Sequence, residues 1–124
     1  MLKDKKIKKN YGFELIINLY ECDKTVITSC KKLKEFVDKL CKLIKMKPYG
    51  KPLIPYFGEN ATHTKGYSLV QLIETSSITG HFSDYWETAY INIFSCKKFN
   101  KDLAKKFTKE YFGAKKIVTR FLVR

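Results

Sequence analysis

Hydrophobic residues at every second position recur along this chain, and they alternate with segments in which the hydrophobic spacing is three or four residues. The first kind, seen in YGFELIINLYEC (residues 11–22), predicts a β-strand with one apolar face. The second kind, in residues 28–46, predicts an amphipathic helix that Thr28 or Ser29 caps. The chain is therefore limited to folds in which helices pack on a sheet.

The rest of the chain continues this alternation. After residues 47–65, which hold all three prolines, come the strand-like segments YSLVQLIE, TSSITGHF and AYINIFSC, then a helix between Asn100 and Gly113, then the strand IVTRFLV. The predicted order is β-α-β-β-β-α-β, an α+β fold with an antiparallel or mixed sheet and both helices on one face. We expect a second copy to cover the other face, giving a dimeric α/β sandwich.

Length and hydropathy limit the organisation further. The 124 residues suit a single domain, 1–124, of which residues 1–10 form a Lys-rich tail. No apolar run approaches the roughly 20 residues that a membrane span needs, and no signal peptide is evident. These features predict a cytoplasmic protein with no membrane partner.

The charge of the chain is strongly positive, at +13 from 25 basic and 12 acidic residues. Only Arg120 and Arg124 are arginines, and the lysines are spread along the chain. Base recognition and bidentate phosphate binding favour arginine, so this composition argues against nucleic-acid binding as the main role.

Cysteine and histidine spacing gives no metal site. Cys22, Cys30, Cys41 and Cys96 form no CxxC pair, and the two histidines, His63 and His81, stand 18 positions apart. We expect four reduced thiols and no bound metal.

One group of residues suggests chemistry. Ser76 and Ser77 lie near one end of a predicted strand, His81 follows on it, and Cys96 ends the next strand but one. A serine, a histidine and a thiol on neighbouring strands suit acyl chemistry or proton transfer. Each also has a purely structural interpretation, as an edge-strand serine, a structural histidine or a core cysteine, and spacing alone leaves both open.

The segments LIINLYECD (residues 15–23), TSSITGHFSDY and INIFSC resemble the bacterial and archaeal S-adenosylmethionine decarboxylases, which are small pyruvoyl enzymes made as self-cleaving proenzymes. The family reads roughly E-S-H-I-S-I-H-T-W-P-E, followed by a strand ending in D-V-F-T-C. Without a gap, the resemblance places Ser76 at the self-processing serine, His81 at the processing histidine and Cys96 at the cysteine. Ser68 falls where the family has another serine near its site.

This resemblance implies a mechanism and a set of products. Ser76 attacks the carbonyl of Thr75, and cleavage leaves a β chain of residues 1–75 and an α chain of 76–124 that begins with a pyruvoyl group. That group forms a Schiff base with the substrate amine, so no external cofactor is needed. By the same resemblance, His81 assists processing as an acid or base, and Cys96 donates a proton to the substrate.

The family pattern also changes at several positions here. Thr75 replaces a glutamate, Ser77 replaces a histidine, and the T-W-P-E stretch becomes Phe82-Ser83-Asp84-Tyr85, with Trp86 and Glu87 displaced. The resemblance implies that Phe82, Tyr85 or Trp86 stacks on adenine and that Asp84 or Glu87 accepts the ribose hydroxyls.

Three functions follow from the resemblance and these departures. The first is a decarboxylase of polyamine biosynthesis acting on S-adenosylmethionine. The second is a pyruvoyl-dependent arginine or ornithine decarboxylase on the same scaffold. The third is an unprocessed, non-catalytic relative that serves as a partner or binding subunit.

Overall fold

A computed structural model describes residues 10–58 and 60–124, so residues 1–9 of the predicted Lys-rich tail lie outside it. The first half contains β1 (Phe13–Tyr20), α1 (Lys24–Ile27), α2 (Cys30–Leu43) and β2 (Tyr56–Phe57), followed by a 3₁₀ turn at Thr62–Thr64. The second half contains β3 (Gly66–Ile73), β4 (Ser76–Ser83), β5 (Thr88–Ser95), α3 (Lys101–Tyr111) and β6 (Lys116–Val123).

The strands form one six-stranded sheet in the order β2-β3-β4-β5-β1-β6. Every pairing is antiparallel. This confirms the predicted α+β architecture and decides between the two expected sheet types in favour of the antiparallel one. The short elements α1 and β2 were not predicted, because four and two residues are too few to show a hydrophobic period.

Local sequence explains where the two long helices begin and end. The Ser29 hydroxyl accepts a hydrogen bond from the Lys32 backbone N–H at 3.2 Å, and the Asn100 side chain accepts one from Leu103 N–H at 3.0 Å. These are the N-caps of α2 and α3. After α3, Gly113 adopts φ of +58°, a conformation that glycine reaches without the steric cost of a Cβ.

The core lies between the helices and one face of the sheet. β1, β3, β4 and β5 turn alternate residues toward the helices, as the period of two requires. Fully burying one leucine, isoleucine or phenylalanine side chain stabilises the fold by about 1.5–3 kcal/mol. The largest members of this core, each at most 2% exposed, are Leu15, Ile17, Leu19, Ile27, Leu33, Phe36, Leu40, Leu69, Ile78, Ile93 and Phe112.

The opposite face of the sheet, here called the open face, carries a mixture of polar and apolar residues. One row across it consists of Asn18, Tyr90, His81 and Ser68, which are neighbours in the strand register. Apolar side chains on this face stay accessible, with Leu72 55% and Leu122 45% exposed. None of the described helices is long and apolar enough to cross a membrane.

Candidate active site

The predicted cleavage bond lies in a tight turn at one end of the sheet. β3 and β4 form a hairpin in which Ile73 pairs with Ser76, so that only Glu74 and Thr75 connect the two strands. Ser76 is therefore the first residue of β4. The Thr75–Ser76 peptide bond joins the turn to the strand, at the surface and next to a cavity of about 270 Å³.

The backbone of Thr75 is strained. Its φ is +63°, in the left-handed region, which a β-branched residue rarely occupies. Such a conformation costs on the order of 1–3 kcal/mol and persists only where the surrounding structure imposes it. Here the paired strand residues Ile73 and Ser76 close the turn, and the strain falls directly on the residue whose carbonyl would be attacked.

Two hydrogen bonds hold the reacting groups of this turn. The Ser76 hydroxyl lies 2.9 Å from the hydroxyl of Ser95, the last residue of β5. The Cys96 backbone N–H donates to the Thr75 carbonyl oxygen at 3.4 Å. An N–H donor at that oxygen is positioned where negative charge develops when a nucleophile adds to the carbonyl. Thr75, Ser76, Ser95 and Cys96 are called the cleavage turn below.

Cys96 is the thiol that belongs to this turn. It is half-buried, and it follows the buried Ser95, so alternation along the strand directs it toward the open face. Cys22 and Cys41 lie in the core, where burial raises the pKa of Cys22 to about 12 and that of Cys41 to about 11, the nearby Glu87 and Asp38 carboxylates contributing less. Those two thiols stay protonated at neutral pH and are unsuited to act as nucleophiles.

Ser68 and His81 form a second pair, on the open face. The Ser68 hydroxyl and His81 Nδ1 are 3.0 Å apart, because the two residues are opposite each other on β3 and β4. His81 is five residues from Ser76 along the same strand, a distance of about 16 Å at the rise of a β-strand. The Ser76 side chain points to the other face, toward buried Ser95. The structure thus places Ser76 and Cys96 at the same end of the sheet, with their side chains on opposite faces, and separates both from His81.

A cavity of about 310 Å³ adjoins the Ser68–His81 pair. The rings of His63 and Trp86 stand with their centroids 5.0 Å apart on its wall. A hydrogen-bonded turn fixes them, since Ser83 Oγ donates to the His63 carbonyl and accepts from the Trp86 N–H. This aromatic cavity is lined by His63, Thr64, Tyr67, Ser68, His81, Phe82, Ser83, Trp86 and Tyr90.

The other residues predicted to bind substrate lie in different environments. Phe82 is 3% exposed and packs against Phe112 in the core, so it forms only the floor of the aromatic cavity. Tyr85 points away from it and lines a separate cavity with Asp84, whose carboxylate accepts a hydrogen bond from Tyr56 at 2.6 Å. Glu87, at φ +55°, turns the chain toward β1, where its carbonyl accepts the Cys22 N–H.

A model of the S-adenosylmethionine decarboxylase family matches residues 13–124. The chain belongs to the S-adenosylmethionine decarboxylase family. The crystal structure of the adenosylmethionine decarboxylase from Aquifex aeolicus VF5 has the same fold, with a TM-score of 0.79 and 18% sequence identity over 94% of this chain and 92% of that chain. A search of curated proteins found no match.

Membership of the S-adenosylmethionine decarboxylase family confirms the resemblance seen in the sequence and supports a decarboxylase of polyamine biosynthesis. Within this family fold, the match spans both the cleavage turn and the aromatic cavity. Among the described residues, no group of three or more histidine, cysteine, aspartate or glutamate side chains is arranged to hold a metal ion.

Two residues of this decarboxylase-family site were missed from the sequence. Ser95 reaches Ser76 only through the β4–β5 register, which cannot be read from spacing along the chain. His63 lies in the proline-containing segment, where no hydrophobic period indicates the path of the backbone. Its nearness to an exposed tryptophan in the turn after β4 gave no signal in the sequence.

Proposed function

We propose that this chain is a proenzyme that cleaves itself between Thr75 and Ser76 and then acts as a pyruvoyl-dependent decarboxylase. Cleavage gives a β chain of residues 1–75 and an α chain of 76–124 whose first residue is the pyruvoyl group. No external cofactor is then required. The observation that carries this proposal is the cleavage turn, where a strained Thr75 carbonyl accepts the Cys96 N–H beside the hydrogen-bonded Ser76 hydroxyl.

Self-cleavage at this turn proceeds through an ester, an elimination and a hydrolysis. The Ser76 hydroxyl oxygen adds to the Thr75 carbonyl carbon, the peptide C–N bond breaks, and the hydroxyl proton ends on the Ser76 nitrogen, which leaves an ester. A base then removes the Ser76 α-proton, and the ester oxygen departs from Cβ with Thr75 as a carboxylate. Water hydrolyses the remaining dehydroalanine, which releases ammonia and leaves the pyruvoyl group.

The pyruvoyl group supplies a carbonyl that binds the substrate amine and accepts electrons as CO₂ is lost. Cys96, whose backbone N–H bonds the Thr75 carbonyl, lies at the same end of the sheet as Ser76 and returns a proton to the substrate carbon. It is the half-buried thiol at the turn, whereas Cys22 and Cys41 are sealed in the core and Cys30 is exposed at the start of α2.

His81 serves this chemistry in a homodimer. Because about 16 Å of strand separates His81 from Ser76, His81 of one copy acts on the backbone of the other copy's cleavage turn when the two open faces pack together, since the Ser76 hydroxyl itself points to the core face. The midpoint between the two residues lies at Ile78 and Thr79, so a two-fold axis near Thr79 sets each cleavage turn against the opposite Ser68–His81 pair. The accessible apolar residues of the open face, such as Leu72 and Leu122, become buried in this sandwich.

S-adenosylmethionine is the substrate that fits the aromatic cavity best. Trp86, His63 and Tyr90 surround a space of about 310 Å³ next to His81, and aromatic rings of this kind can stack on a flat base. Arginine and ornithine, the alternative substrates, carry no ring to use it.

The free cysteines are in keeping with a reducing compartment such as the cytoplasm.

Intact mass of the purified protein tests the proposal without a choice of substrate. The wild-type chain is expected to give two fragments that meet at residues 75 and 76, the second one blocked by a pyruvoyl group. Ser76→Ala is expected to stay whole, and Ser77→Ala, which alters the neighbouring serine on the other face, is expected to cleave. A wild-type chain that remains at 14.6 kDa after long incubation would contradict the proposal and favour a non-catalytic relative.

A further inference from the structure

Ser95 is the side chain that the structure places against the Ser76 hydroxyl. It is the last residue of β5, pairs with Ser76 in the β4–β5 register, and is 0% exposed. The same position could hold an alanine, as at Ala89, or an isoleucine, as at Ile91 and Ile93, which alternate with it on the core face of β5. A serine in such a place is costly unless its hydroxyl is hydrogen-bonded.

The hydrogen bonds of Ser95 fix the direction of its contact with Ser76. A hydroxyl has one proton to donate and two lone pairs that accept. Ser95 donates its proton to the Lys97 carbonyl at 2.7 Å, and it accepts from the Lys97 N–H at 2.9 Å. What remains is one lone pair, which faces Ser76 at 2.9 Å. Ser76 must therefore be the donor in this contact.

We infer that Ser95 is a positioning residue for the first step of self-cleavage. By accepting the Ser76 proton in a hydrogen bond, it fixes the rotamer of Ser76 and leaves the Ser76 oxygen lone pairs free to add to the Thr75 carbonyl. The atoms balance as before, because Ser95 keeps its own proton and the Ser76 proton ends on the Ser76 nitrogen as the C–N bond breaks. This inference rests on the proposed function and deepens it.

The geometry assigns Ser95 to ester formation and not to the later elimination. Ser95 contacts Oγ of Ser76, the atom that attacks, and this contact exists within one chain before any bond is broken. The opposite side of the reacting bond is held by the Cys96 N–H on the Thr75 carbonyl. Residues 95 and 96 thus hold the nucleophile and the electrophile from one short stretch of backbone.

The test follows cleavage of freshly synthesised precursor by mass, with and without hydroxylamine. Hydroxylamine attacks an ester at Thr75 and leaves a Thr75 hydroxamate and a free Ser76 amino group, so it reports whether the ester has formed. Ser95→Ala is expected to slow cleavage at least about tenfold, the worth of one well-placed hydrogen bond, with no acceleration by hydroxylamine. Ser95→Thr, which keeps the hydroxyl, is expected to restore most of the rate.

Thr108→Val is the matched control. Thr108 is also 0% exposed, and its hydroxyl has no hydrogen-bond partner among the described residues. Removing that hydroxyl from α3 is expected to leave the cleavage rate unchanged. Because Ser95 also bonds Lys97, the alanine variant risks misfolding, which a thermal melt will show. In that case Ser95→Cys, which keeps the shape but offers a weak acceptor, is compared with Ser95→Thr.

The outcomes separate this inference from the function on which it rests. A folded Ser95→Ala chain that cleaves at the wild-type rate would overturn the role of Ser95 and leave self-cleavage intact. Slow cleavage that hydroxylamine restores would also overturn it, since Ser95 would then act after the ester. Equal rates for Ser95→Cys and Ser95→Thr would do the same. A wild-type chain that never cleaves would overturn the proposed function itself.

Discussion

The two ends of β4 differ in almost every physical respect. At the Ser76 end, hydroxyl and amide groups are saturated with hydrogen bonds around a strained turn. At the His81 end, aromatic rings line an open cavity and one histidine faces outward. A strained, internally bonded site suits a reaction of the chain on itself, whereas an open aromatic one suits a ligand. On the proposed function, this difference means that one strand carries two half-sites, which meet between two copies.

We expect the largest effect on self-cleavage when two inactive variants are expressed together. Ser76→Ala keeps His81 but has no nucleophile, and His81→Ala keeps Ser76 but lacks the histidine. Each alone is expected to remain whole. When the two are co-expressed, the His81→Ala chain is expected to cleave, because the partner supplies its histidine; mass spectrometry of the mixture tells the chains apart. Cleavage of His81→Ala on its own would show that the two ends of β4 do not depend on each other.

Thr79→Arg separates the two half-sites by keeping the copies apart. Thr79 lies on the open face between Ser76 and His81, and a buried charge without a partner opposes packing of the two sheets. We expect a monomer by light scattering and a fall in cleavage rate of more than about tenfold. Glu110→Arg introduces the same residue on the exposed surface of α3 and serves as the control. A monomeric wild-type chain that still cleaves would contradict the shared site.

Trp86→Ala tests whether the aromatic cavity binds substrate without taking part in self-cleavage. Loss of one ring that stacks on a base costs about 1–3 kcal/mol, so we expect KM for S-adenosylmethionine to rise about tenfold while self-cleavage keeps its rate. Release of CO₂ measures the first and intact mass the second. Tyr85→Ala changes the preceding aromatic residue, which lies outside the cavity, and is expected to leave KM unchanged. An effect of equal size in both variants would argue against the cavity as the substrate site.

Thr75→Gly probes the strain, with the smallest expected effect. Glycine adopts a positive φ freely, so part of the strain of about 1–3 kcal/mol disappears from the precursor. We expect a higher melting temperature for the Ser76→Ala background and, with Ser76 present, cleavage about fivefold slower. Glu87→Gly is the control, because Glu87 has φ of +55° in the turn at the other end of β4. In this variant the melting temperature is expected to change and the cleavage rate is not. Faster cleavage in Thr75→Gly would show that strain opposes the reaction.

Much of the fold was predictable because its elements are long and regular. The strand at Leu15–Leu19, the caps at Ser29 and Asn100, and the glycine at 113 all act through nearby residues, so their patterns are visible in sequence. The position of the β3–β4 turn was harder to place, since Glu74 and Thr75 are not typical turn residues. The contacts of Ser76 with Ser95, and of His63 with Trp86, depend on strand register and on the path of an irregular segment, neither of which has a local signature.

The strand order determines how the two products of the proposed cleavage would be held together. The proposed cleavage divides the strands between a 1–75 piece with β1, β2 and β3 and a 76–124 piece with β4, β5 and β6. In the sheet, β4 and β5 lie between β3 and β1, with β6 beyond β1. The two pieces are interleaved and cannot part without opening three strand junctions. Unfolding of the mature form is then a dissociation that depends on concentration. Refolding would have to be a bimolecular search, so the sheet is assembled efficiently only once, while the chain is still continuous.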